Sequence, residues 1–302
     1  MKKARILAVV VCVMAVVNFA SADNIRGINM DFVTIGNAGN TADTHAMING
    51  THGGAVSYDY SIGKYEVTNA QWNSFTAAAG APTGNDGDYR DSARWTGAQQ
   101  PTDSVSWYEA AQFCNYLTSG DKSKGAYQFS GDNANPGSFQ GIDRASSIST
   151  YGTTYVIPTE DEWYKAAYFK PDGSGYSLYA NGTDTAPVAG VNSNYGVDSN
   201  HNSIVGASWN VGMGTMEQNG TFDMMGNVLE WNETLFYGSL RGIRGGTYSY
   251  DAGEDLKSSF SSGMSPIFEG IAVGFRIAEV PEPATICLLT LGGIFIYRRR
   301  KP

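Results

Sequence analysis

The sequence predicts an α+β fold of short helices and short strands joined by long loops, and three observations predict it. First, three helices announce their starts in the same way: Thr68 is followed by Gln71, Ser106 by Glu109 and Thr159 by Glu162. In each pair the hydroxyl and the longer side chain satisfy orphan N–H groups of the first turn. Second, the segments that alternate in polarity are short, which is the mark of half-buried strands. Third, the chain has 37 glycines, and its stretches 119–150 and 172–221 are dense in Gly, Asn, Ser and Asp with few long apolar runs. Such composition favours loops over long helices.

Taken in order, Met30 to Ile35 alternates weakly and reads as a strand, and Ala55 to Ile62 reads as a second. The first helix follows Thr68. The second carries Trp107, Ala110, Ala111, Cys114 and Leu117 on one face, at helical spacing. The third carries Trp163, Ala166 and Ala167, and is bounded by Pro158 before its cap and Pro171-Asp172-Gly173 after it. Leu240 to Ser249 and Ile271 to Ile277 are the remaining strand candidates. The four tryptophans at 72, 107, 163 and 231 read as core or cleft-wall residues.

The two ends differ from the middle. Lys2, Lys3 and Arg5 precede an apolar run from Ile6 to Val17 and then Ala20-Ser21-Ala22, the pattern of a secretory signal with a small-residue cleavage site. Residues 1–22 are therefore expected to be a signal, 23–278 the folded domain and 279–302 a separate tail. Seven of the 20 basic and two of the 29 acidic residues lie in those ends, leaving 13 basic and 27 acidic groups in 23–278, a formal charge of −14. A surface of that sign excludes nucleic acid as a partner and gives the domain no affinity of its own for anionic lipid. Cys12 and Cys287 lie in the ends, so Cys114 alone remains and no internal disulfide or thiolate pair can form.

The tail reads Val280-Pro281-Glu282-Pro283, an apolar run from Ala284 to Tyr297, then Arg298, Arg299, Arg300 and Lys301. In that order, at that position, it resembles the PEP-CTERM sorting tag of Gram-negative bacteria. The resemblance implies export machinery and a sorting protease as partners, and a location in the cell envelope or extracellular matrix after transient anchoring in the inner membrane. The apolar run of 14 residues is short for a span that needs about 20, and the basic cluster would sit on the cytoplasmic side. The membrane is then met only through this segment.

Six motifs stand in series between these ends: Tyr65-Glu-Val-Thr-Asn-Ala-Gln-Trp72, Asp103-Ser-Val-Ser-Trp-Tyr-Glu109, Ile157-Pro-Thr-Glu-Asp-Glu-Trp163, Phe222-Asp-Met-Met-Gly-Asn-Val-Leu-Glu-Trp231, Ile243-Arg-Gly-Gly-Thr-Tyr248 and Gly274-Phe-Arg276. Together they resemble formylglycine-generating (sulfatase-modifying factor) domains over residues 28–278. The resemblance implies a loop-rich, C-type-lectin-like fold. It also implies oxidation of a substrate cysteine with oxygen and a copper ion held by two cysteines. The matching stretch, Thr247 to Val273, contains no cysteine, and Cys114 belongs to a helix face, so copper is not expected. Iron-dependent relatives need three histidines and a helical partner domain; His45, His52 and His201 have no such spacing, and iron is not expected either.

What the resemblance does imply is calcium. The side chains of Asp223 and Glu230 and the carbonyls of Gly226 and Val228 match its ligands, all hard oxygens. A buried pair of carboxylates would also repel without a cation; the alternative is two surface carboxylates on a turn and strand. A second calcium site falls nearest to Asn194 and the Tyr195 carbonyl, with Asp198 as its poorly aligned continuation. Arg244 and Arg276 read as framework residues bridging strands. The function expected is a non-catalytic exported domain that binds a peptide, glycan, exopolysaccharide or other envelope component. Two alternatives stand beside it: an enzyme of unrecognised chemistry, with Asp251 and Glu254 near the old active region, and a diverged cysteine oxidase.

Overall fold

The structure is a computed structural model that describes residues 20–83, 96–196, 205–249 and 253–280. Most of the expected signal, the tail from Pro281 onward, and Asp198, His201 and Asp251 lie outside the described residues.

The chain opens with the hairpin β1 (Ala20–Ile25) and β2 (Ile28–Ile35). Arg26 and Gly27 turn it with φ of 52° and 86°, the two left-handed residues that match the twist of an antiparallel pair. Next come β3 (Tyr60–Gly63), α1 (Asn69–Ala79) and α2 (Trp107–Ser119). Then follow β4 (Tyr127–Phe129), β5 (Phe139–Ile142), α3 (Arg144–Tyr151), β6 (Thr154–Val156) and α4 (Glu160–Tyr168). The last part holds β7 (Leu229–Leu235), β8 (Arg241–Arg244), β9 (Ser262–Met264), β10 (Val273–Gly274) and β11 (Ala278–Val280).

All three capping boxes form, at α1, α2 and α4, with both reciprocal bonds present. α2 is buried nearly all round, not on one face, because α1, β4 and β6 pack on it from several sides. Among the described residues Cys114 is the free cysteine; it lies fully buried there, with burial pushing its thiol well up. The helix α3 falls in a stretch expected to be loop. Its face is polar, with Ser147 as its buried side chain, so no apolar period marks it; Asp143 caps it by accepting from the Ser146 N–H. The described parts of the stretch 172–221, residues 172–196 and 205–221, form no helix or named strand, as their composition implies.

A five-stranded sheet runs β1-β2-β3-β11-β6, antiparallel throughout. A four-stranded sheet runs β10-β7-β8-β9, with β10 parallel to β7. The strand β11 begins at Ala278, the expected end of the domain, runs two residues beyond it, and occupies an inner position in the first sheet. The strands expected at 55–62, 240–249 and 271–277 are present but shorter, at β3, β8 and β10. Elsewhere the backbone spends its hydrogen bonds on turns instead of ladders.

The tryptophans at 72, 107, 163 and 231 are core residues. Trp107, Trp163 and Trp231 are fully buried and Trp72 nearly so. Each of the three indole N–H groups donates inside the protein, to the Asn232 carbonyl, the Glu230 carboxylate and the Val105 carbonyl respectively, as buried indoles do. Arg144 bonds both Glu162 and Glu233 and the Ile157 carbonyl, which ties α3, α4 and β7 together. Among the described residues no helix is long and apolar enough to cross a membrane.

Candidate functional site

The Phe222–Trp231 motif forms a turn that leads into β7, and the turn is built from unusual backbone. Asp223 and Asn227 adopt φ of 62° and Gly226 of 91°. Asn tolerates the left-handed region through local hydrogen bonds; a Cβ at Gly226 would in addition fall inside the van der Waals radius of the Asn194 carbonyl oxygen. Replacing Gly226 with alanine is expected to cost about 2–4 kcal/mol, the sum of a left-handed penalty and overpacking. Chemical denaturation measures it, and a loss below 1 kcal/mol would contradict the packing described.

Four carboxylates gather beneath this turn: Glu66, Glu217, Asp223 and Glu230, all buried. Glu230 is fully enclosed. Arg276 donates from Nε to its Oε2 and from Nη2 to its Oε1, each at 2.6 Å, and Trp163 Nε1 donates to Oε2 at 2.7 Å. Arg276 itself is fully buried and also donates to the Gly63 and Phe222 carbonyls. Glu66 accepts from Asn227 Nδ2 at 2.6 Å and from the Val228 N–H at 3.0 Å. Asp223 Oδ2 accepts from the Gly212 N–H at 2.7 Å, while its Oδ1 lies beside Gly214. Glu217 accepts from the Thr221 hydroxyl at 2.9 Å.

One guanidinium therefore serves four carboxylates. Burial, with the Asp223 and Glu230 charges, pushes Glu66 well above the usual carboxylate range. Burial pushes Glu217 up to about 8 and Asp223 up to about 6, the Arg276 charge offsetting part of each. The nearest structural answer to the repulsion expected between Asp223 and Glu230 is thus Arg276, a cation supplied by the chain 46 residues downstream of Glu230.

The donor set still fits a hard cation. Glu230 Oε1 accepts one hydrogen bond and keeps a lone pair. The side-chain oxygen of Asn194, a residue 1% exposed, has no hydrogen-bond partner among the described residues, which is rare for a buried polar atom. Asn194 is held against the turn: its carbonyl accepts from the Asn227 N–H at 2.8 Å and its amide donates to Asn227 Oδ1 at 2.9 Å. The structure so brings Asn194, expected in a second site, to the same turn as Asp223, Gly226, Val228 and Glu230. Tyr195 points its hydroxyl away, donating to the Pro187 carbonyl at 2.6 Å. Among the described residues no three His, Cys, Asp or Glu side chains converge as a ready metal centre, so any cation here must draw on carbonyl and amide oxygens.

The other candidates separate. Glu254 is exposed and pairs with Lys257, as a solvated turn does, and Asp251 lies outside the described residues. His45 and His52 both bond to Asp43, one to its carboxylate at 3.1 Å and one to its carbonyl at 2.8 Å, in a surface loop. Arg244 is fully buried, and pairs with Glu160 and the Ser258 carbonyl; with Arg276 it has the framework role expected of both. A polar cleft of about 600 Å³ opens between residues 37–45 and 173–176, with Phe169 and Tyr176 in its wall. Sequence reasoning gave no role to Glu66, Glu217 or Asn227. Glu66 stands inside one of the six motifs, but its partner Asn227 is 161 residues away, and nothing local links them.

Comparison with known proteins shows the family and the fold. The family model described as a sulfatase-modifying factor enzyme 1-like domain matches residues 23–280, and that of the PEP-CTERM protein-sorting motif matches residues 279–301. A curated relative, the chaperone protein LppX of Paenibacillus barcinonensis, is 26% identical over 189 residues; the match covers 57% of this chain and 61% of that protein. Among solved structures, variable protein 1 of Treponema denticola superposes with a TM-score of 0.60 at 21% identity, over 87% of this chain and 99% of that one. CarF superposes with 0.61 at 24% identity, over 83% and 98%, and PvdO from Pseudomonas aeruginosa with 0.56 at 16%, over 83% and 94%. At these identities the structures establish the fold alone: a loop-rich α+β domain of the C-type-lectin-like, sulfatase-modifying-factor kind.

Proposed function

The chain belongs to the family of sulfatase-modifying factor enzyme 1-like domains, and from that premise we propose that it is an exported binding module, stabilised by calcium, that lacks the family's cysteine-oxidising chemistry. Its sorting motif supports export to the cell envelope or extracellular space. The observation that carries the reading is the fate of the thiols. The stretch Thr247 to Val273, where the resemblance puts a copper-binding cysteine pair, has none. Cys114, the thiol left in the folded domain, is enclosed in the middle of α2 and shielded from any substrate. A soft cuprous ion has no thiolate pair to bind, while the framework that shapes the fold is intact. A fold can keep its scaffold and exchange its chemistry.

Calcium would be held by the Asp223 and Glu230 side chains and the Gly226 and Val228 carbonyls, with the unpartnered Asn194 oxygen as a further donor beside Tyr195. Bound there, it would neutralise charge that Arg276 leaves over. The ligand of the domain is a peptide, a glycan or another polar envelope component. Support comes from the polar cleft of about 600 Å³, whose aromatic wall and hydrogen-bonding rim suit such molecules, and from the chaperone named among the relatives, which favours a polypeptide.

The test is metal analysis of the purified exported protein, melting with and without chelator, and incubation with a cysteine peptide, copper and oxygen. The reading expects calcium at one or two ions per chain, a melting temperature that falls on chelation, and no formylglycine. Stoichiometric copper or peptide oxidation would overturn it. Calcium present but indifferent to Asp223→Ala would move the metal elsewhere.

A further inference from the structure

We propose that a second pocket, between β2 and the first turns of α1, binds an uncharged sugar unit, with Asp31, Gln99 and Tyr65 as its contacts. It shares no lining residue with the larger cleft, and the inference needs neither that cleft nor a bound cation.

The pocket follows from the pleat of β2. Successive side chains of a strand point to opposite faces, so Met30 and Phe32 enter the core while Asn29 and Asp31 face outward. α1 adds Gln71 and Ser74, which lie three apart and so share one side of the helix. The two elements are tied together. Gln71 Nε2 donates to the Asn29 carbonyl at 2.8 Å, and its Oε1 accepts from the Thr68 N–H at 2.8 Å. The Val211 N–H donates to the Gln99 carbonyl at 2.8 Å, which joins the two loops of the rim. Tyr65 is the aromatic part of the lining. Its half-buried ring lies 5.4 Å from that of Phe222, and a Cβ on Gly212 would come within 2.7 Å of it. These contacts hold open a space of about 450 Å³, inside the range of about 300–1,000 Å³ usual for small-molecule sites.

The lining offers hydrogen bonds without positive charge. Asp31 and Gln99 are exposed. Among the described residues the Asp31 carboxylate, the Gln99 amide and the Tyr65 hydroxyl have no hydrogen-bond partner. A carboxylate can accept two hydroxyls at once, and an amide both donates and accepts. A pyranose brings neighbouring hydroxyls for these groups and an apolar C–H side for an aromatic ring. Acidic sugars are disfavoured. No lysine, arginine or histidine lines the pocket, and the formal charge of −14 over residues 23–278 repels anions. Amino sugars are disfavoured too. Lys64 lies over the Tyr65 and Phe222 rings, 5.3 and 5.5 Å from their centroids, and its charge opposes a second cation there. An apolar ligand would strip water from the polar groups and return no hydrogen bonds. A neutral sugar meets all of these conditions.

The experiment is saturation-transfer NMR and titration calorimetry on the purified full chain, kept in a detergent without a sugar headgroup. The probes are neutral trisaccharides of glucose, galactose and mannose, with trigalacturonate as the acidic counterpart. At least one neutral trimer is expected to bind, and trigalacturonate is not. Asp31→Ala should weaken the neutral trimer by about tenfold or more, because it removes a charged acceptor, and Gln99→Ala should weaken it less. Both positions are exposed, so the melting temperature should stay within about 2 °C of the parent. Sugar binding that both variants retain in full would place the sugar elsewhere and overturn the proposal. Trigalacturonate bound as tightly as the neutral trimers would overturn it as well. So would the absence of any neutral binding at about 10 mM, ten times a weak dissociation constant of about 1 mM. None of these failures touches the calcium reading, which metal content and chelator melts test separately.

Discussion

Arg276→Met lowers the stability of the domain by about 3–5 kcal/mol, because it strands a buried carboxylate. Glu230 and Arg276 are both fully buried and joined by two hydrogen bonds of 2.6 Å. Removing the arginine leaves Glu230 with the Trp163 indole N–H as its remaining donor and leaves the Gly63 and Phe222 carbonyls without their donor. For a domain of this size the loss corresponds to a fall in melting temperature of about 10–15 °C. The informative control is Glu230→Gln with Arg276→Met. If the first loss comes from an uncompensated charge, the double variant is more stable than the sum of the single losses predicts. Additive losses would mean that Arg276 acts through packing and the carbonyl bonds, and not through the ion pair.

The metal-free domain is expected to become more stable as pH falls from 8 to 5. Glu217 has an ordinary value of 4.5 and is pushed up to about 8 in the folded chain by burial; Asp223 rises from 3.8 to about 6 for the same reason. Between those limits the native state holds a proton that the unfolded state has released. Stability therefore falls with rising pH across the window and levels off above about 8, each unit of displacement being worth about 1.4 kcal/mol. Glu162 works in the opposite sense. It too is desolvated, but Arg144 and its other hydrogen-bond donors hold it below its ordinary value, so the stability it contributes is lost as pH drops below about 4.5. The maximum then lies near pH 5. Glu217→Gln keeps the acceptor for Thr221 and removes the penalty, so it should raise the melting temperature at pH 8 and flatten the profile; a profile as steep as that of the parent would show that other groups set it. Calcium, if bound at the Asp223 turn, should stabilise more at pH 8 than at pH 5, because protons and the cation compete for the same oxygens. Thermal melts at the two pH values, with and without calcium, read all of these at once.

The candidate site was legible in the sequence in proportion to how local its determinants are. Asp223, Gly226, Val228 and Glu230 lie within one motif, and their shared turn follows from it. That Arg276 supplies the charge for Glu230, and that Asn194 leans on Asn227 with an oxygen that has no partner among the described residues, could not be read there. The contacts span 46 and 33 residues, and each depends on how loops fold over the two sheets. The same contrast separates Cys114, whose burial follows from its place on a capped apolar helix, from Glu66, whose role depends wholly on a distant partner.

The sequence alone determined the fold class, the three capped helices, the loss of the thiol pair and the sorting tail. Capping boxes act over three residues and composition acts without geometry, so both are visible in one dimension. The tertiary structure alone decided that α3 is a helix, that α2 is enclosed nearly all round, that four buried carboxylates lie within reach of one guanidinium, and that β11 occupies an inner position of its sheet and ends directly before Pro281. Strands of two to four residues carry too little alternation to be read. Buried ion pairs form between residues that only the packing of distant segments brings within hydrogen-bonding reach.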